Sequence, residues 1–176
     1  MKLLQIAITG PESTGKSTLA AQLANHYQTL WSPEYARSHL SLMTTPYTQN
    51  DVLLIAKRQL QLQAETAQYC KQLFFADTEM LVIKIWYEHF YGKCPPWLQT
   101  AFNNQPFCHY LLTNIDLPWV ADAQREHPHL RAYFFNLFEQ TLIKSQKPYT
   151  VISGNATQRL NRAVGVINQL LYLAPP

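Results

Sequence analysis

Charge is scarce in this chain: 14% of its 176 residues are charged, against 47% that are hydrophobic. That balance excludes a disordered, self-repelling polymer, and the length suits one domain able to bury a substantial core. There is no dense run of Lys or Arg, and a net charge of +3 is too small to argue for nucleic acid. Small anionic ligands explain such an excess equally well. Cysteine is also sparse. Cys70, Cys94 and Cys108 are odd in number and form no C-x-x-C, which speaks against structural zinc and a disulfide framework and makes the reducing cytosol the default. His26, His39, His89, His109, His127 and His129 show no metal spacing beside Cys or acids. No apolar stretch approaches the length of a membrane span. The N-terminal apolar run has only Lys2 before it and breaks at Gly10-Pro11, so it reads as a buried strand and not a signal peptide. No repeat, low-complexity tract or dividing linker interrupts the chain.

What is present is a complete phosphate-binding loop. Gly10-Pro11-Glu12-Ser13-Thr14-Gly15-Lys16-Ser17 satisfies G-x4-G-K-[ST]. It follows Leu3-Leu4-Gln5-Ile6-Ala7-Ile8 and opens a helical pattern with Leu19, Ala20, Leu23, Ala24 and Tyr27 on one face. That strand–loop–helix setting is the context the motif requires. Glycines let successive N–H groups turn inward as an anion nest at the positive end of a helix. Lys16 can reach the β- and γ-phosphates, and the Ser17 hydroxyl can ligate Mg²⁺. The pattern predicts binding of a nucleoside triphosphate.

Short apolar runs alternate with longer helical patterns along the rest of the chain, as in a parallel sheet with helices on both faces. Strands are predicted at 29–31, 73–77, 110–113 and 150–153. Helices are predicted at about 51–72, 79–91, 133–144 and 158–171, with an irregular polar stretch at 114–131.

Ligands of open α/β sheets bind at the carboxyl ends of the strands. That rule gathers the phosphate loop, Glu34, Asp77, Asn114, Asp116 and Asn155. Phosphoryl transfer needs Mg²⁺, cations on the moving oxygens and a group to orient or deprotonate the acceptor. Asp77 closes an apolar strand in the manner of an acid that supports Mg²⁺; holding acceptor hydroxyls or capping the next helix are its other readings. Glu34 suits a base or hydroxyl ligand, or an acid in a helix's first turn. Arg125 and Arg131 stand in the irregular stretch, where a mobile segment would bring arginines over phosphates. Trp31, beside Glu34, is read either as a stacking platform or as core.

Gly10 to Thr18, Trp31 with Glu34-Tyr35-Ala36-Arg37, Ala76-Asp77-Thr78 and Tyr91-Gly92-Lys93-Cys94-Pro95 together resemble the ribosylnicotinamide kinase domain of NadR-type proteins. The segment from Tyr110 to Val120, including Asp116-Leu117-Pro118-Trp119, resembles that family's strand and lid entry, with Arg125 and Arg131 at lid arginine positions. Gly154-Asn155 followed by Arg159 resembles its adenine-side loop.

The resemblance implies a nucleoside-monophosphate-kinase-like P-loop fold: a five-stranded parallel sheet in the order 2-3-1-4-5, one kinase domain over 1–176 and a lid at about 114–131. It implies ATP and Mg²⁺ as cofactors, with Ser17 and Asp77 at the metal. It also implies phosphorylation of the 5′-hydroxyl of nicotinamide riboside to nicotinamide mononucleotide. Lys16, Glu34, Asp77 and Arg125 are the catalytic candidates. Gly10, Pro11, Glu12, Ser13, Thr14, Gly15, Lys16, Ser17, Thr18, Arg131, Asn155 and Arg159 are assigned to the nucleotide. Trp31, Glu34, Arg37, Asp77, Asp116 and Trp119 are assigned to the acceptor.

The chain departs from the family at Asn114, at Glu79 and at Ala121-Asp122-Ala123, all on the acceptor side. A kinase for another nucleoside or small alcohol, or a nucleotide-dependent regulatory ATPase, therefore stays open beside the first reading. The nucleotidyltransferase and DNA-binding domains of longer members are absent from the sequence. The expectation is a stand-alone cytoplasmic kinase with a small-molecule substrate and no nucleic-acid or membrane partner.

Overall fold

The computed structural model describes residues 3–173. In chain order the elements are β1 (Leu4–Thr9), α1 (Lys16–His26), β2 (Trp31–Ser32), α2 (Tyr35–Ser41), α3 (Gln49–Ala67), β3 (Leu73–Asp77), α4 (Met80–Tyr91), α5 (Pro96–Asn103), β4 (His109–Thr113), a 3₁₀ turn (Pro128–Leu130), α6 (Arg131–Lys144), β5 (Tyr149–Ile152) and α7 (Ala156–Leu173). The five strands form one parallel sheet in the order β2-β3-β1-β4-β5, as the sequence resemblance implies.

Strand alternation divides the core between the two faces of the sheet. Ile6, Ile8, Phe75 and Leu111 face α1 and α7, where they meet Leu19, Leu23, Ala163 and Ile167. Ala7, Phe74, Ala76, Tyr110 and Leu112 face the other way, onto Val52 and Ile55 of α3, Leu81 and Ile85 of α4, and Phe138 and Leu142 of α6. The register Ile8↔Asp77 and Thr9↔Leu112 brings the ends of β3 and β4 beside the start of the phosphate loop. That alignment places the site.

Boundaries differ from expectation where proline acts as a helix starter. Pro95-Pro96 opens α5, with proline in the first turn, where its missing N–H costs nothing. Pro128 likewise opens a 3₁₀ turn that leads into α6, so Arg131 stands in a helix's first turn instead of the irregular stretch. The Thr48 capping box starts α3 at Gln49, and that helix ends at Ala67, five residues earlier than expected. No helix among the described residues is long and apolar enough to cross a membrane.

Candidate active site

Residues 10–15 wrap tightly because backbone geometry demands it. Gly10 has φ +134°, and a Cβ there would lie 2.6 Å from the Thr113 hydroxyl and 2.9 Å from its carbonyl. Only glycine fits. Ser13 and Gly15 also have positive φ, 55° and 79°, which turns their neighbouring N–H groups toward a common centre. Thr14 donates to the Pro11 carbonyl at 2.7 Å and shares a 2.7 Å hydrogen bond with Thr113, whose hydroxyl in turn donates to the Thr9 carbonyl. The loop is thus stitched to β4. Lys16 Nζ folds back onto the Pro11 carbonyl at 2.9 Å.

Asp77 lies just behind this loop. It is 1% exposed, and its Oδ1 has no hydrogen-bond partner. Burial pushes its carboxyl up to about 6, against the opposing pull of Lys16 and the Ser17 hydroxyl, with nearby Glu34 pushing the same way as burial. Glu34, at the N-terminus of α2, pairs with Arg37 at 3.6 Å.

The stretch 117–127 crosses over the loop and is tied to it at several points. Val120 N–H donates to Ser13 Oγ at 2.9 Å, and Glu126 N–H donates to Glu12 at 3.2 Å. Arg125 reaches Ser13 Oγ and the Val120 carbonyl. Arg131 donates to the carbonyls of Leu117 and Ser13, at 2.9 and 3.2 Å. On the far side Arg37 pairs with Asp122 at 2.9 Å, and Gln124 donates to the Arg37 carbonyl. Burial raises the Glu12 carboxyl above its usual range, opposed by the Glu126 N–H and by Lys16.

Beneath this cover is a cavity of about 340 Å³. Its lining joins residues 10–18, Glu34 and Arg37 to an apolar and aromatic set, Leu40, Met43, Tyr47, Val82, Ile85, Trp86, Phe90, Phe134 and Phe138, with Glu126 and His127 of the cover among those aromatics. Tyr47 and Trp86 meet edge to face with ring centres 5.1 Å apart. Trp86 Nε1–H donates to the Tyr47 hydroxyl, which donates to Glu126. The sequence reading singled out none of these aromatics.

Several sequence-assigned residues lie elsewhere. Trp31 packs against the α1/α7 face of the sheet and does not line the cavity, so the core reading of its ring is the one the structure favours over a stacking platform. Asp116 turns away from the acceptor side: it pairs with Arg159 and accepts from the Gly154 N–H at 2.6 Å. Arg159 is buried with its guanidinium committed to protein, donating to the carbonyls of Gly154, Thr14 and Asn114 as well as to Asp116. It braces the phosphate loop from behind. Asn155 and Gln158 exchange side-chain-to-backbone hydrogen bonds at the start of α7, a helix-capping arrangement. Trp119 lies under the Arg131 guanidinium, 5.9 Å away, and is absent from the cavity lining. Among the described residues no group of three or more His, Cys, Asp or Glu gathers to hold a metal.

The geometry defines a P-loop protein with a nucleoside-monophosphate-kinase-like fold. A family model described as an AAA domain matches residues 5–159, and the chain belongs to that family. The trifunctional NAD biosynthesis/regulator protein NadR of Escherichia coli (strain K12) is 32% identical over 124 residues, covering 68% of this chain and 30% of that protein. NadR of Salmonella typhimurium (strain LT2) matches at the same identity and coverage. The chain therefore spans less than a third of the length of these curated relatives. Among solved structures, NadR in complex with NR matches with a TM-score of 0.78 at 16% identity, covering 99% of this chain and 53% of that one. Thymidylate kinase from Ehrlichia chaffeensis matches with a TM-score of 0.70 at 11% identity, covering 95% and 100%.

Proposed function

We propose that this chain is a single kinase domain, with a lid at about 114–131, that transfers the γ-phosphoryl of ATP to the 5′-hydroxyl of nicotinamide riboside. The carrying observation is that the phosphate loop and Glu34 line one cavity together with a cluster of aromatic side chains. A flat, cationic ring is stabilised against aromatic faces, and similarity to NadR supports that choice of acceptor.

The residues present fit a Mg²⁺ ion. Asp77 offers a buried, unpartnered carboxylate oxygen, and Ser17 brings its hydroxyl to the same group. When bound, the ion neutralises charge building on the β- and γ-oxygens. Lys16 exchanges its Pro11 carbonyl for those oxygens, while the backbone N–H groups of 13–17 hold the β-phosphate. Arg125, whose planar fork binds two oxygens, shields the moving phosphoryl from above. Glu34 lines the cavity where Asp77 does not, so it is the carboxylate that orients the acceptor hydroxyl and takes its proton.

ADP release from the protein with Mg-ATP, across a panel of nucleosides, tests the reading. Release that depends on nicotinamide riboside, with nicotinamide mononucleotide seen by mass, is expected. Stimulation by a different nucleoside would reassign the acceptor. Release indifferent to every nucleoside but responsive to a protein or nucleic acid would make this a regulatory ATPase.

A further inference from the structure

Four described non-glycine residues have positive φ: Ser13, Gln28, Thr78 and Gln146. Gln28 and Gln146 are exposed and follow the ends of α1 and α6, where a left-handed residue closes a helix. Ser13 belongs to the phosphate nest. Thr78, with φ 70° and 1% exposure, has neither excuse. It is β-branched, the residue type least tolerant of this region, and its hydroxyl has no partner.

The surroundings hold it there. Thr78 N–H donates to the Ile8 carbonyl at 3.2 Å, and its carbonyl accepts from buried Gln63 of α3 at 3.0 Å. The next residue, Glu79, is wholly buried. Its carboxylate accepts from Thr9 at the end of β1, from Gln105 and from the Leu81 N–H, at 2.9, 2.8 and 2.6 Å. A corner pinned from β1, α3 and the segment before β4 sets the direction of the peptide that follows Asp77.

We infer that Thr78 is a positioning residue whose enforced left-handed backbone, not its hydroxyl, aims the Asp77 carboxylate at the Ser17 side of the phosphate loop. Strain of this kind is kept where it preorganises a site. The inference rests on the proposed reading of Asp77 as a Mg²⁺-supporting carboxylate.

The test compares Thr78→Gly, which frees the backbone, with Thr78→Val, which keeps branching and removes the hydroxyl. Two readouts are taken on each: the melting temperature of the protein alone, and the gain in ATP affinity on adding Mg²⁺. Thr78→Gly is expected to melt within about 3 °C of the parent, since strain relief offsets glycine's entropy, while losing about fivefold or more of the Mg²⁺-dependent gain. Thr78→Val is expected to keep that gain. A Thr78→Gly protein with the parent's full gain overturns the inference. So does loss in Thr78→Val alone, which would make the hydroxyl the active group, and so does a fall in melting temperature that tracks the loss in both variants. A parent with no Mg²⁺-dependent gain removes the reading of Asp77 itself, and this inference with it.

Discussion

Replacing Arg159 with Leu asks whether this guanidinium serves the nucleotide or the fold. The side chain is 4% exposed, and its donors reach the carbonyls of Gly154 at 2.7 Å, Thr14 at 2.8 Å and Asn114 at 3.0 Å, besides the pair with Asp116. Leucine would leave three carbonyls short of a donor, at roughly 1 kcal/mol or more each. Asp116, a third exposed, can turn to water, so its share is small. The expected loss is about 3–5 kcal/mol, most of it from the three carbonyls left without this donor. For a chain of this length that corresponds to a fall of about 6–20 °C in melting temperature. Lysine at this position keeps the charge but cannot span three carbonyls, and should recover only part of the loss. Burial would raise the Asp116 carboxyl, but the Gly154 N–H and Arg159 outweigh it and hold it below its usual range. The contribution is therefore present above the unfolded carboxylate pKa of about 3.9 and disappears as pH falls through the lower folded value. Calorimetric melts with and without saturating ATP read the effect. An Arg159→Leu protein that melts within about 2 °C of the parent and loses only ATP affinity would refute this reasoning and return Arg159 to the nucleotide.

Lys16→Ala should abolish turnover and weaken ATP binding without unfolding the domain, because the hydrogen bond it loses is to a loop carbonyl; a nucleotide titration beside a circular dichroism melt checks it. Arg125→Ala should lower kcat by roughly 10²- to 10⁴-fold, somewhat less than an arginine finger supplies because Arg131 and Lys16 share the load, with lysine restoring only part; steady-state kinetics at saturating substrates measure it. Asp77→Asn should lower kcat more than ATP affinity yet raise stability at neutral pH. Burial lifts the folded Asp77 to about 6, so the native state holds its proton longer than the unfolded chain, and stability falls as pH rises from about 4 to 6. Removing that carboxylate should gain up to about 3 kcal/mol at pH 7 and flatten the window in melts taken across pH.

The phosphate half of the site was legible because its chemistry is contiguous. Residues 10–17 carry their own turn geometry, and Asp77 ends a fully buried apolar run, so strand-end logic finds it. The aromatic chamber was not legible. Tyr47 comes from the segment before α3, Trp86 and Phe90 from α4, and Phe134 from α6, and only folding unites them. One signal did exist. Helix α4 is apolar on more than one face: Leu81, Ile83 and Ile85 are buried in the core, while Val82, Ile85, Trp86 and Phe90 reach the cavity. A helix hydrophobic beyond one stripe has a second surface to cover, and here that surface is a cavity wall. Arg159 and Asp116 illustrate the opposite error. Sequence position brings both to the mouth of the sheet, but direction decides their task, and both point at backbone and at each other.

The four residues between Gly10 and Gly15 show why this loop is more particular than its motif. Phosphate binding by such a loop uses backbone N–H groups and one lysine, which leaves the interior side chains available. Pro11 lends its carbonyl to Lys16 and Thr14. Glu12 accepts the N–H of Glu126, and Ser13 accepts from Val120 and Arg125. Thr14 joins the loop to Thr113 of β4. The loop interior is thus where the cover over the cavity is fastened. Lys16 and Arg125 spend donors on loop and cover atoms, and these are the donors the proposed reading assigns to a triphosphate. On the proposed reading, loading the nucleotide would draw Lys16 from the Pro11 carbonyl and Arg125 from Ser13 and the Val120 carbonyl, and so loosen the ties between loop and cover.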